Sequence, residues 1–149
     1  MGAAVALGGG GDGDASVSEN WQRLRISSQN DVSLAIVAVR ELAIRQTMST
    51  SEAAALITAV SELVTNVVKY AGSGLVSLRP TRQIQRPGIE VIVEDKGPGI
   101  ADIAAAMRDY VSTGGTLGLG LPGAKRLVDE FDIVSRPGQG TRIRIVKWR

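Results

Sequence analysis

Ser112–Phe131 reads STGGTLGLGLPGAKRLVDEF, and the rest of the chain takes its meaning from it. Five glycines (Gly114, Gly115, Gly118, Gly120, Gly123) fall within ten positions, and an amphipathic helical pattern follows. Glycines let a backbone come close to a ligand and take positive φ. A helix start offers free N–H groups and the positive end of a dipole. Together they read as an anion cradle, with phosphate as the natural ligand; the alternative is a glycine-rich loop that binds nothing. Gly118-Leu-Gly120-Leu-Pro-Gly123 matches G-x-G-x-x-G, but the dinucleotide form follows a strand directly within a βαβ unit. Here residues 112–116 are loop-like and no parallel crossover follows. The P-loop is excluded because Ala124 and Lys125 follow Gly123. Protein kinases of the eukaryotic type are excluded because H-R-D and D-F-G are missing.

Working outward, Gly88–Asp95 (GIEVIVED) alternates as a strand, with Ile89, Val91 and Val93 on one side, and ends in the turn Lys96–Gly99. Phe131–Ser135 and Thr141–Lys147 form two further strands around Pro137–Gly140. Leu75–Arg82 reads as a strand, Arg86–Pro87–Gly88 as a turn, and Trp21–Ile26 as a first strand. One helix, capped by Asn30 or Asp31, runs to about Thr47 with Leu34, Val37, Ala38, Leu42 and Ile44 as its apolar face. A second, capped within Ser49–Glu52, runs to about Tyr70 and stops at Ala71–Gly74. Residues 101–117 read as a small helix and a flexible stretch. The order β-α-α-β-β-α-β-β, with short turns, predicts a two-layer α/β sandwich. Its sheet is mixed and mostly antiparallel, covered on one face by about three helices.

The chain has 149 residues, enough for one domain, assigned to residues 19–149 behind a tail, residues 1–18, read as disordered. It has no Cys and no His, which removes disulfides, thiol nucleophiles, Ser-His triads and the common zinc sites. A net charge of +2 gives no case for nucleic acid. Residues 1–14 lack the basic start of a signal peptide, and no apolar run approaches a membrane span in this reading. The expectation is a cytoplasmic protein.

Three further groups carry chemistry. At 100° per residue, Leu56, Ile57, Val60, Leu63, Val64, Val67 and Val68 fill one face of the second helix. Glu62, Asn66 and Lys69 share the opposite face, within about 60°. A carboxylate, an amide and an ammonium there suit a general base, a Mg²⁺ ligand and a phosphate contact; a plain solvated face is the alternative. Asp95, at a strand's end, can accept a hydrogen bond from a ligand amine, and Gly97 and Gly99 leave room for a flat ring; Asp95 as a simple turn former is equally open. In Gly138–Thr141 the threonine can hydrogen-bond a ligand.

The four pieces come in one order: E-L-V-T-N (Glu62–Asn66), D-x-G-x-G (Asp95–Gly99), T-x-G-x-G-L (Thr116–Leu121) and G-x-G-T (Gly138–Thr141). That order and spacing resemble the GHKL (Bergerat-fold) ATPases with their N, G1, G2 and G3 boxes, over roughly residues 20–147. A free-standing domain of this size is similar to the bacterial anti-sigma-factor serine kinases. Gly118–Phe131 and the Lys147–Trp148 ending are similar to the RsbT type, the stressosome switch kinases. The resemblance implies a serine/threonine protein kinase that uses ATP and Mg²⁺. It implies Glu62 as general base, Asn66 as metal ligand, Lys69 near the phosphates and Asp95 on the adenine amine. Gly97 and Gly99 would shape the pocket. Thr116, Gly118, Leu119 and Gly120 would lie around the phosphates, and Thr141 would support the Asp95 end. Residues 101–117 would be an ATP lid, with Arg108 either a γ-phosphate contact or a solvated residue. The implied partners are STAS-domain scaffold proteins and a PP2C-type phosphatase, with no nucleic acid and no membrane. Two other readings stay open: an anti-sigma factor with kinase activity, which sequesters a sigma subunit through the first helix (Arg40, Glu41, Arg45) and the lid and phosphorylates an anti-anti-sigma factor, and an interaction module with a decayed pocket.

Overall fold

The computed structural model describes residues 20–108 and 120–149. Strands β1 (Gln22–Ile26), β2 (Gly74–Gln83), β3 (Arg86–Asp95), β4 (Glu130–Ser135) and β5 (Thr141–Trp148) form one sheet in the order β1-β2-β3-β5-β4. All four pairings are antiparallel. The mostly antiparallel sandwich expected from the sequence is the fold found. Alternation puts Val76, Val93 and Ile143 on the face that the helices cover, and Ser77, Ile92 and Arg144 on the other.

Helix α1 (Gln29–Arg45) begins one to two residues before the expected cap. Ser28 is its N-cap and accepts the Asp31 N–H, while Asp31 in turn accepts the Ser27 N–H at 2.9 Å. The apolar face differs from the expected one. Val32, Ala35, Ala38, Val39, Leu42 and Ala43 are buried, whereas Leu34, Val37 and Ile44 are 52, 45 and 68% exposed. Two apolar stripes run along α1, and only its neighbours determine which one packs. Helix α2 (Thr50–Asn66) starts with a reciprocal capping box: Glu52 N–H to Ser49 Oγ and Ser49 N–H to Glu52 Oε1. It continues as one π-helical turn, Val67–Ala71, which closes on Gly72 at φ +87°. Together Thr50–Ala71 is long and apolar enough to cross a membrane, so a run of that length exists after all. Its Leu56, Val60, Leu63 and Val64 are buried in the core.

The short helix α3 (Ile103–Ala106) is capped by Asp102. Helix α4 (Gly120–Leu127) buries Leu121, Pro122, Gly123 and Ala124. Pro122 sits in the first turn, where its missing N–H costs nothing. Helix α2 is packed between α1 and α4 over the sheet. The Arg86–Pro87–Gly88 turn is not found: all three residues belong to β3, and the hairpin closes at Ile84–Gln85 with Ile84 at φ +57°. Pro at a strand's start needs no ladder N–H. Gly88 is there because a Cβ would meet the ring of the buried Trp148, 2.5 Å from Cε3.

Candidate functional site

A cavity of about 370 Å³ opens between α2, the end of β3 and the start of α4. Apolar side chains, among them Leu63, Val93, Ile100, Leu121 and Ile143, make its walls. Five of the residues expected at the site line it: Asn66, Asp95, Gly99, Gly120 and Thr141. They come from four places in the chain more than 70 residues apart, Asn66 to Thr141, which only the fold brings together.

Asp95 is the last residue of β3 and half-buried. Its Oδ1 accepts the Gly97 N–H at 2.9 Å, fixing the carboxylate; Oδ2 makes no hydrogen bond among the described residues. Gly97 itself lies beside the cavity. A Cβ on it would come 2.5 Å from the Ala71 Cβ, so the turn after β3 and the π turn after α2 can meet only at a glycine. Gly99 has φ +76°, and its backbone runs against the Arg136 carbonyl. Gly140, at φ +79°, presses on the backbone of Asp95 and Lys96, while the Gly138 N–H bonds the Pro98 carbonyl at 2.7 Å. The two glycine turns, far apart in sequence, thus lock into each other.

Thr141 pairs across the ladder with both Asp95 and Ser135. Ser135 was not singled out by its sequence, yet it ties this end together. Its Oγ accepts the Ile100 N–H at 2.8 Å, donates to the Gly140 carbonyl at 2.9 Å and lies 2.8 Å from Thr141 Oγ1. A hydroxyl has one proton, so Thr141 is the donor in the last bond and keeps its lone pairs as acceptors. No motif marks Ser135; the strand ladder alone aligns it. Tyr70, also missed, lines the cavity while 58% exposed.

Glu62 and Asn66 do not stand on a solvated face: both are half-buried, because α4 packs on that side of α2. Glu62 Oε1 accepts the Gly120 N–H at 3.2 Å, at the start of α4 where a helix favours negative charge. The Asn66 amide lines the cavity and forms no hydrogen bond among the described residues. Lys69 is not among the residues that line the cavity. It is exposed in the π turn, and its Nζ sits 5.2 Å from the Tyr70 ring centre. Thr116, Gly118 and Leu119 lie outside the described residues, as does the part of the expected lid from residue 109 onward. Among the described residues no group of three or more Asp or Glu side chains forms a cage for a metal.

Residues 27–147 match the family described as the histidine kinase-like ATPase domain. The chain is 42% identical over 125 residues to the serine/threonine-protein kinase RsbT of Bacillus subtilis, covering 84% of this chain and 94% of that one. It is 34% identical over 127 residues to the anti-sigma F factor of Caldanaerobacter subterraneus subsp. tengcongensis, covering 81% and 87%. The crystal structure of the RsbU and RsbW domains of a Mycobacterium tuberculosis protein shares the fold, with a TM-score of 0.55 at 21% identity over 86% of this chain and 33% of that one. A glycine-locked cavity on an antiparallel sheet, lined by Asn66 and a fixed Asp95, is thus seen in a chain that matches along nearly its whole described length, and the chain belongs to the histidine kinase-like ATPase domain family.

Proposed function

We propose that this chain is an ATP-dependent serine/threonine protein kinase of the cytoplasm. In this reading it transfers the γ-phosphate to Ser or Thr of STAS-domain scaffold proteins. Released from them, it activates a PP2C-type phosphatase in stress signalling. The observation that carries the reading is the meeting of Asn66 and Asp95 in one cavity, with Glu62 bonded to its lining residue Gly120, in a chain 42% identical to a serine/threonine kinase over nearly all of that kinase's length.

The residues fit the chemistry. The free Oδ2 of Asp95 accepts the adenine amine, and the lone pairs of Thr141 sit beside it. The Asn66 amide, without a hydrogen bond among the described residues, would offer its oxygen to Mg²⁺, which would neutralise phosphate charge. Gly120 offers the Glu62-bound N–H to a phosphate oxygen, as helix starts do. Glu62, so released, takes the proton of the substrate hydroxyl as its oxygen bonds to the γ-phosphorus and the bond to the ADP oxygen breaks. Lys69, Thr116, Gly118 and Leu119 belong to the phosphate end in this proposal, and Gly97 and Gly99 to the ring end.

Glu62→Gln tests the base. It should bind Mg-ATP as the wild type does in calorimetry, yet transfer labelled phosphate to a STAS-domain substrate about 10²-fold more slowly. Transfer at the wild-type rate would remove Glu62 from the role. Failure of the wild type to bind Mg-ATP would return the chain to a pure interaction module.

The exposed Leu34, Val37 and Ile44, beside Arg40, Glu41 and Arg45 on α1, favour a second reading. Here the chain is an anti-sigma factor that seats a sigma subunit on this face and phosphorylates its antagonist. Co-elution of the purified chain with a sigma subunit, abolished by Val37→Glu, would select it.

A further inference from the structure

On the sheet face without helices, one ladder row runs Arg25, Leu75, Glu94, Arg142, Val134 across the five strands. With Lys96 and Arg136 from the adjoining turns it borders an open groove of about 770 Å³. Arg25, Lys96, Arg136 and Arg142 are all exposed there. Arg142 reaches Glu94 only at 3.8 Å, and Arg25, Lys96 and Arg136 form no ion pair among the described residues. Leu75 and the 62% exposed Val134 provide apolar ground between them. Elsewhere on this face Arg79 and Arg144 both bind Glu90. The groove thus gathers four exposed cations beside two carboxylates, Glu94 and Asp95, in a chain whose net charge is only +2.

We propose that this groove binds an acidic segment of a partner protein, an extended stretch of Asp and Glu with an apolar residue for Leu75 and Val134. Five strands about 4.8 Å apart place the edge strands about 19 Å from each other, a distance that about six extended residues cross. Nucleic acid fits less well, because no aromatic side chain lines the groove to stack a base. The site is separate from the phosphate end of the cavity and its occupation needs no nucleotide. It shares Asp95 and Thr141 with the cavity, from opposite sides of the sheet's end.

The test is fluorescence anisotropy of the full chain with a labelled peptide of about eight residues, all Glu except one central Leu, without nucleotide. Binding should weaken with added salt and fall about tenfold in the Arg25→Gln/Arg136→Gln double variant. It should strengthen in Glu94→Gln, which removes the groove's own repelling charge. Arg82→Gln/Arg86→Gln, an equal charge change at the β2–β3 hairpin tip, should leave it unchanged. Equal weakening by the two double variants, no gain in Glu94→Gln, or tighter binding of a single-stranded oligonucleotide of the same charge would overturn the proposal.

Discussion

Ile84 is the residue whose backbone and chemistry disagree most. It is β-branched, 91% exposed and at φ +57°, in a two-residue hairpin turn that favours Asn or Gly. Ile84→Gly should raise stability in thermal unfolding by about 1 kcal/mol, since the left-handed region costs an L-residue about that much. A lower melting temperature would show that the side chain holds the hairpin. Gly97 is the opposite case, a glycine with no freedom to change. Gly97→Ala would push a Cβ into Ala71 and against Asp95 Oδ1, 3.2 Å away. The expected result is a loss of about 1–3 kcal/mol of stability and weaker ATP binding, because the Asp95 carboxylate is held by the Gly97 N–H. The sequence marked Asp95, Asn66 and Gly97 through their motifs. It could not mark Ser135, which has no motif and acts only because β4 and β5 align it with Thr141.

Helix ends carry the next set of effects. Ser49→Ala removes half of the α2 capping box and should cost about 1 kcal/mol in denaturant unfolding. Both capping carboxylates are held below their ordinary values, Glu52 mainly by the Ser49 N–H and Asp31 mainly by the Ser27 N–H. A carboxyl lowered in the folded state stabilises it above its unfolded pKa, here 4.5 and 3.8, and loses that contribution as pH falls through the lowered values. Acid unfolding should therefore steepen below about pH 4, and Glu52→Gln should flatten the curve there. The α2 cap was legible because it depends on residues three apart, whereas the α1 cap, expected at Asn30 or Asp31, is Ser28. The buried face of α1 was not. Leu34, Val37 and Ile44 continue the helical period as well as Val32, Val39 and Leu42 do, and periodicity cannot say which stripe meets another helix. The same limit applies to α2, where α4 half-buries Glu62 and Asn66.

Across the molecule the two sheet faces are stabilised differently. The helix-covered face packs aliphatic side chains, while the open face buries Glu90 to 5% exposure between Arg79 and Arg144. Burial works against the Arg144 charge, but its hydrogen bonds with Glu90, Glu130 and Asp132 outweigh this and raise its pKa. Arg79 also lies over the Trp21 ring at 4.2 Å. Glu90→Ala should cost about 2 kcal/mol in denaturant unfolding, below the figure for a fully buried pair because both arginines are partly exposed. A loss near zero would mean that the arginine stems alone cover Ile92 and Val146. The sequence by itself determined the elements, their antiparallel joining and the four motifs, since alternation, helical period, caps and glycine turns are local properties. It also supplied the ATPase resemblance, because motif order survives without coordinates. Only the tertiary structure decided that the glycine turns at Gly99 and Gly140 interlock, that α2 ends in a π turn carrying Lys69, and that Glu62 is held to the first N–H of α4. It alone decided that Arg25, Lys96, Arg136 and Arg142 gather at one end of the open face. Each of these depends on residues distant in sequence and close in space, and neither local spacing nor composition encodes such contacts.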